Sequence, residues 1–244
     1  MDWQRNQLKY KQSKPSMLGR GIERLTHPFG KALASVVPKA LVEAVLKGLD
    51  RAVGMKELAK FTHDPHDLQA AHDAAKGLVR TARAISASTG AAAGLGGAIS
   101  MSADIPATIA IALRTIRDTG RAYGFAGEGP SEKLFRLQIL ELAALDDPEV
   151  RAERIAALED GIGTDGDLIH AGQEHITPVV DQAVERISRA LAFATMRSRA
   201  GMLVPIAGSV VGGIVNSSFQ NDVGKAARFA FLARRLKEAG QSVG

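Results

Sequence analysis

Six polar residues lie within or beside the least polar stretches of this 244-residue chain. Burying such groups without partners would cost several kcal/mol, so they must pair with one another, face water or line a cleft. A carboxylate, a guanidinium and an amide that converge on one point can bind and polarise a substrate. The six residues are Asp104, Arg114, Asp118, Tyr123, Asn216 and Asp222.

Two interpretations of this polar cluster are open. In the structural one, Asp104 caps amides that Pro106 leaves open by breaking a helix, and Arg114 pairs with Asp118 one turn along the next helix. In the functional one, the cluster lines a pocket between two helices. Asp104 is then a carboxylate base and Arg114 an anion clamp, while Asn216 orients a substrate or a water. That arrangement would suit a hydrolase.

The rest of the sequence holds no common hydrolase or nucleotide-binding signature such as Gly-x-Ser-x-Gly, His-Glu-x-x-His or a P-loop. The absence of cysteine excludes thiolate catalysis and cysteine metal ligands, and we expect no cofactor and no metal. Histidines near carboxylates offer two candidate metal sites, although solvated residues at helix ends are the preferred explanation because zinc sites usually have tighter paired spacing. These candidates are His63 and His66 in one cluster, and His170 and Glu174 in the other.

Two uncharged stretches rich in small residues must position the polar cluster. One lies between Arg83 and Asp104, and the other between Arg199 and Asp222. Small residues at helical spacing form a flat stripe against which another helix backbone can pack closely. We therefore predict that the two stretches are paired core elements. The glycines of the stripes are Gly90, Gly94 and Gly97 in the first, and Gly208, Gly212 and Gly213 in the second.

The spacing of apolar residues predicts an all-α fold. We expect a single multi-helix domain over residues 21–244, preceded by a basic flexible arm over residues 1–20. Pro106 should break or restart a helix, residues 161–167 should form a mobile connection, and a terminal helix should begin at Asp222. The helix that follows Asp64-Pro65 should bury an apolar stripe formed by Leu68, Ala71, Ala75, Leu78, Val79 and Ala82.

The net charge of +5 comes mainly from the two ends of the chain. Basic ends can bind an anionic membrane surface or nucleic acid, or can be solvated tails. Few aromatics accompany them, so nucleic acid is the less expected partner. The first residues lack the apolar segment of a signal peptide, and a buried hairpin explains the two small-residue stretches better than membrane spans do. The basic residues are Arg5, Lys9, Lys11, Lys14 and Arg20, and Lys225, Arg228, Arg234, Arg235 and Lys237.

Two groups of motifs resemble the EcsC protein family. Trp3 fits the early tryptophan of that family, whereas Ala126 replaces the aspartate expected after the first group, which argues against a ligand role there. The first group is Gly94, Gly97, Asp104, Leu113-Arg114-x-Ile116 and Tyr123-Gly124-Phe125. The second is Val204-Pro205-Ile206-x-Gly208-x-x-Val211-Gly212-x-x-x-Asn216-x-x-Phe219-x-x-Asp222.

The resemblance implies a helical bacterial protein whose namesake is encoded beside an ABC transporter linked to protein secretion. It implies no particular reaction. We therefore expect a cytoplasmic accessory protein, peripheral to the inner membrane face, that binds anionic lipid or a membrane protein such as an ABC transporter. The hydrolase described above is the alternative, and a helical module that forms homo-oligomers through its glycine stripes is a third interpretation.

Overall fold

The computed structural model describes residues 2–13, 39–95, 98–145, 147–169, 184–185 and 208–241. Within these residues the chain forms seven helices in one domain and no strand, which confirms the predicted all-α fold. The helices are α1 (Trp3–Gln12), α2 (Lys39–Gly54), α3 (Leu68–Leu95), α4 (Ala98–Ala122), α5 (Pro130–Ala144), α6 (Pro148–Asp160) and α7 (Gly208–Glu238).

Helix α7 is the centre of the fold. It packs antiparallel to α3 over most of its described length, and it also contacts α4, α5, α1 and α6. Alanine-rich faces allow this packing, since Ala226 and Ala230 of α7 and Ala71 and Ala75 of α3 are completely buried. A Cβ on Gly224 would overlap the side chain of Val79, so only glycine fits at that point of the α3–α7 interface.

The predicted glycine stripes are distributed differently along the helices. The first does not lie on one helix, because α3 ends at Leu95 and α4 begins at Ala98. Gly97 lies outside the described residues, and nothing is described of the surroundings of Gly90, Gly94, Gly208, Gly212 or Gly213. Contact between the two stripes therefore stays a prediction. The close approach at Gly224 lies on the same pair of helices, α3 and α7.

Two predicted helix boundaries are wrong. Helix α4 continues through Pro106, which removes only one amide donor from a ladder that the neighbouring residues continue. Asp104 therefore lies inside a helix and cannot be an N-cap. Helix α7 likewise runs through Asp222 without a break, so the second small-residue stretch and the terminal helix are one element. By contrast, the buried stripe on α3 is confirmed at Ala71, Ala75, Leu78, Val79 and Ala82, with Leu68 half-buried.

The first described residues do not behave as a loose arm. The Asp2 carboxylate accepts a hydrogen bond from the Arg5 amide at 2.9 Å and caps α1. The buried Gln7 donates to the Phe229 carbonyl of α7 at 3.0 Å. Flexibility is therefore the wrong prediction for residues 2–13, because this helix has specific partners. Residues 14–20 lie outside the described part, and the domain boundary at residue 20 stays a prediction.

Residues 161–167 are also held by specific bonds. Ile162 and Leu168 form an isolated antiparallel bridge, and the Gly163 amide donates to the Asp167 carbonyl at 2.7 Å. The segment follows α6, which Asp147 caps as its Asp-Pro start predicts. Among the helices of the described residues, none combines the length and hydropathy needed to cross a bilayer.

Candidate functional site

The predicted polar cluster is only partly visible. Asp104 lies on α4 and Asn216 on α7, but their side chains are outside what the structure describes. Arg114 is half-buried on α4, and its Nε atom is buried without a hydrogen-bond partner among the described residues. The convergence of Asp104, Arg114 and Asn216 therefore stays a prediction.

Asp118 pairs with Arg117, and the predicted pairing with Arg114 is wrong. The Asp118 carboxylate is fully buried, and its two oxygens accept hydrogen bonds from Arg117 Nε at 2.9 Å and from the Leu58 amide at 2.7 Å. Arg117 also donates to the carbonyls of Ala52 and Met55, at 2.9 and 3.0 Å. This pair joins the end of α2 to α4, which is a structural role.

The Tyr123-Gly124-Phe125 motif ends α4 and is bound by two arginines of α7. The guanidinium carbons of Arg234 and Arg235 lie 3.8 and 4.5 Å from the centroid of the Phe125 ring. Arg235 Nε donates to the Tyr123 carbonyl at 2.6 Å. Gly124 has φ +81°, and a Cβ there would overlap Arg235. The motif is therefore part of the packing between α4 and α7.

Three of the basic residues predicted to form a solvated or membrane-binding end are used inside the protein. Arg234 donates to the Gly166 carbonyl and to Glu132, each at 2.8 Å, and Arg235 binds Tyr123 as described. Lys237 donates to the carbonyls of Glu159 and Ile162, each at 2.7 Å. The prediction is wrong for these three because loops that are distant in sequence fold onto α7.

The Tyr123 side chain belongs to a second group of residues, where α1, α3 and α7 meet. Its hydroxyl lies 2.9 Å from Nδ1 of His72, and the Trp3 ring meets His72 edge-on with centroids 5.3 Å apart. Burial raises the pKa of the Tyr123 phenol. Burial, with the nearby charges of Arg228 and Lys76, lowers the pKa of His72 to about 4. His72 is therefore neutral at pH 7.

Arg228 and Lys76 act on this group through their charges, and we call the whole set the α1–α3–α7 cluster: Trp3, His72, Lys76, Tyr123 and Arg228. Burial lowers the pKa of the half-buried Arg228 guanidinium, which makes no hydrogen bond or ion pair with any residue that the structure describes. The predicted polar cluster included neither Arg228 nor His72. The available signal was a lone cation within the apolar run of residues 226–233.

The described partner of Asp222 is on its own helix, α7. One of its oxygens accepts a hydrogen bond from Lys225 at 3.2 Å, while Oδ2 is buried without a partner among the described residues. Its negative charge helps to raise the pKa of Tyr10, although burial of the phenol is the larger cause. Asp222 is therefore near α1 rather than in contact with the Tyr123 hydroxyl.

The two candidate metal sites fare differently. His63 Nε2 lies 2.8 Å from the Ala122 carbonyl, and His66 Nδ1 lies 3.5 Å from Arg235, so both rings have partners in the fold. Among the residues that the structure describes, no three histidine or acidic side chains group as metal ligands. His170 and Glu174 lie outside the described residues.

Charge differs between two groups of elements, and we call helices α1, α3 and α7 the cationic side, although Lys11, Arg234 and Lys237 of these helices are bound to the acidic group. Helices α1, α3 and α7 carry eleven Lys and Arg residues against three Asp and Glu residues, whereas residues 125–169 carry eleven acidic against four basic residues. On α1, the exposed Arg5 and Lys9 flank Leu8, which is 48% exposed. Arg80, Arg83 and Lys225 are also exposed on this cationic side.

The comparisons with known proteins cover most of the chain. The model of the EcsC protein family matches residues 2–236. Protein EcsC of Bacillus subtilis (strain 168) is 23% identical over 229 residues, which is 92% of this chain and 90% of that protein. The uncharacterised protein YdbA of the same organism is 28% identical over 154 residues, or 61% of this chain and about half (52%) of YdbA. No solved structure matches significantly.

Proposed function

Because the chain belongs to the EcsC protein family, we propose that it is a helical accessory protein that binds the anionic inner surface of the cytoplasmic membrane. The observation that supports this proposal is the set of exposed Lys and Arg residues on α1, α3 and α7. Exposed cations attract a protein to an anionic surface before it makes contact.

The exposed residues of the cationic side suit a lipid interface. Each Lys or Arg near an anionic leaflet contributes about 1 kcal/mol, and Arg5, Lys9, Arg80, Arg83 and Lys225 are all exposed there. Leu8 projects between two of these cations and can enter the boundary between headgroups and acyl chains. The combination would hold the protein reversibly at an anionic surface. A membrane protein such as an ABC transporter would then be met at the same surface.

Vesicle sedimentation tests this proposal. We expect the protein to sediment with vesicles that contain phosphatidylglycerol and to be released by high salt. It should not bind vesicles of pure phosphatidylcholine. The double variant Arg5→Glu/Lys9→Glu should lose most binding. The matched control, Lys56→Glu/Lys60→Glu, makes the same charge change at exposed positions after α2 and should bind normally. Equal losses in both double variants, or no binding by the wild type, would contradict the proposal.

A hydrolase remains the second candidate function, and two observations favour it. Asp104 lies inside α4, so the capping role does not explain it, and Arg114 has a buried Nε without a described partner. We would assay ester and phosphoester substrates with the wild type, Asp104→Asn and Arg114→Gln. Activity that either substitution removes while the unfolding curve stays unchanged would support an active site. No turnover of either substrate class would reject it.

A further inference from the structure

Helix α1 has an inner face that packs on α7 and an outer face that is exposed. On the inner face, Gln7 donates to the Phe229 carbonyl at 3.0 Å, and the Tyr10 ring stacks on the Phe229 ring with centroids 4.4 Å apart. Residues three and four positions apart lie on the same side of a helix. The outer face therefore presents two cations and one apolar side chain together: Arg5, Lys9 and Leu8.

An arginine of α6 binds the C-terminal end of α1. Arg151 donates to the Tyr10 carbonyl at 3.1 Å and to the carbonyls of Lys11 and Ser13, each at 3.3 Å. Its guanidinium carbon also lies 4.4 Å from the centroid of the Tyr10 ring. The last carbonyls of a helix have no partner within that helix, and a cation there interacts favourably with the helix dipole. Arg151 is 6% exposed, so water competes little for these bonds.

The contacts with α6 and α7 also decide whether α1 is helical at all. Isolated helices shorter than about 12 residues are marginal in water, and α1 has 10 residues. The Lys11 ammonium adds an ion pair with Glu159 of α6 at 3.0 Å. When α1 is undocked it loses these partners, and its outer residues no longer share one side of a helix.

A released α1 would suit a bilayer poorly. An interfacial helix needs its apolar side chains on one face. In α1 they are divided, because Trp3 and Tyr10 lie on the inner face and Leu8 on the outer one. The docked helix instead combines Leu8 with Arg5 and Lys9. The outer face therefore suits a membrane only while the inner face stays on α7.

We propose that Arg151 is a positioning residue for membrane binding: by binding the end of α1, it keeps the outer face in the arrangement that contacts anionic lipid. Docking of α1 and membrane binding are then coupled, so an anionic surface stabilises docking by the same factor by which docking strengthens binding. This inference rests on the proposed function, and it adds a control point on α6, a helix that carries none of the proposed lipid contacts.

The first arm of the test measures binding to vesicles of phosphatidylcholine and phosphatidylglycerol by sedimentation. Gln7→Ala changes no charge and removes the bond to Phe229, whereas its matched control, Gln12→Ala, is at an exposed position of α1. Arg151→Gln has Lys133→Gln as its control, which removes one exposed charge from α5. We expect affinity to fall about fivefold or more in Gln7→Ala and Arg151→Gln, at the lower end of typical coupling factors. Both controls should bind as the wild type does.

The second arm follows α1 itself through the fluorescence of Trp3, the only tryptophan in the chain. Acrylamide should quench Trp3 more strongly in Gln7→Ala and Arg151→Gln than in the wild type, because the undocked ring loses its contact with His72. Vesicles with phosphatidylglycerol should return the quenching in both variants toward the wild-type value. A purely structural role of Arg151 would not produce this recovery. Lipids brominated on their acyl chains should not quench Trp3 of the wild type.

The contrary outcomes are distinct. Quenching of wild-type Trp3 by brominated lipid would mean that α1 leaves α7 to enter the bilayer, which overturns the inference. Undiminished vesicle binding in the two variants, or a Trp3 signal that Arg151→Gln does not change, would also overturn it. Membrane binding still stands in these cases, whereas a wild type that binds no vesicle refutes both proposals. A cooperative thermal transition verifies the fold of each variant. If Arg151→Gln does not fold, Arg151→Lys replaces it, because lysine keeps the charge but lacks the guanidinium fork.

Discussion

Helix α7 carries three arginines within two turns, and their surroundings are opposite. Arg234 and Arg235 are almost fully buried, and carbonyls, carboxylates and the Phe125 ring surround them. Arg228 is half-buried and has no such partner among the described residues. The difference shows that location on a basic helix does not determine whether an arginine has a structural role. The role depends on which hydrogen-bond acceptors the rest of the fold places near the guanidinium.

The strongest test of this comparison removes a satisfied arginine. Arg234→Met would leave the Glu132 carboxylate and the Gly166 carbonyl without their donor. We expect the free energy of unfolding to fall by about 3–5 kcal/mol, because the broken pair is buried. Urea unfolding measures this loss. Lys225→Met, at an exposed position on the same helix, should change it by less than about 0.5 kcal/mol. Similar small changes in both variants would mean that the Arg234 contacts are not stabilising.

A smaller effect is expected when the same contacts are disturbed from the other side. Gly124→Ala places a Cβ against Arg235 at φ +81°. We expect a loss of about 2–4 kcal/mol, from the left-handed backbone and the overlap together. Gly77→Ala is the matched control, because its Cβ would meet nothing within 4 Å. It should stabilise the helix by about 0.5–1 kcal/mol. Thermal unfolding of both variants distinguishes the two sites, and equal midpoints would contradict the proposed packing.

The next test concerns the titration of His72, whose pKa the charge of Arg228 helps to lower. The pKa of His72 is about 4 in the folded protein, below its ordinary unfolded value of about 6.5. The unfolded chain therefore takes up the proton first as pH falls. The stability due to neutral His72 is complete above about pH 6.5 and is lost as pH decreases toward 4. Unfolding midpoints between pH 7 and 4 should fall less steeply for His72→Gln. Parallel profiles for the two proteins would exclude this role for His72.

The smallest effect should have the opposite sign. Arg228→Met removes a desolvated cation and leaves no described partner unsatisfied, so stability should stay unchanged or rise by up to about 1 kcal/mol. Differential scanning calorimetry in phosphate-free buffer measures the change directly. A loss above about 2 kcal/mol would place Arg228 among the structural arginines and remove the distinction between Arg228 and the pair Arg234 and Arg235.

Local signals in the sequence predicted much of the fold. The Asp147-Pro148 start of α6 and the buried stripe of α3 depend on residues close together in the chain, and both are confirmed. Pro106 misled because a proline weakens a helix without having to end it. In this case tertiary packing of α4 against α2 and α3 outweighs local propensity.

The site was harder to predict because its contacts join distant residues. Helical spacing suggested Arg114 for Asp118, whereas the Leu58 amide and the adjacent Arg117 occupy its oxygens. Nothing local to Arg234 indicates that the Gly166 carbonyl folds onto it. The α1–α3–α7 cluster likewise unites Trp3, His72 and Arg228 from three separate helices. Such groupings depend on topology, which residue types alone do not provide.

The contact between α1 and α7 also sets a schedule for folding. Gln7 donates to the carbonyl of Phe229 across 222 positions of the chain. During synthesis, α1 leaves the ribosome long before its docking surface exists, so it can dock only after α7 has emerged. Until then α1 lacks its contacts with α7. The cationic side is therefore completed only after translation of α7. In a nascent chain stalled before Phe229, α1 would have no helix α7 to dock against.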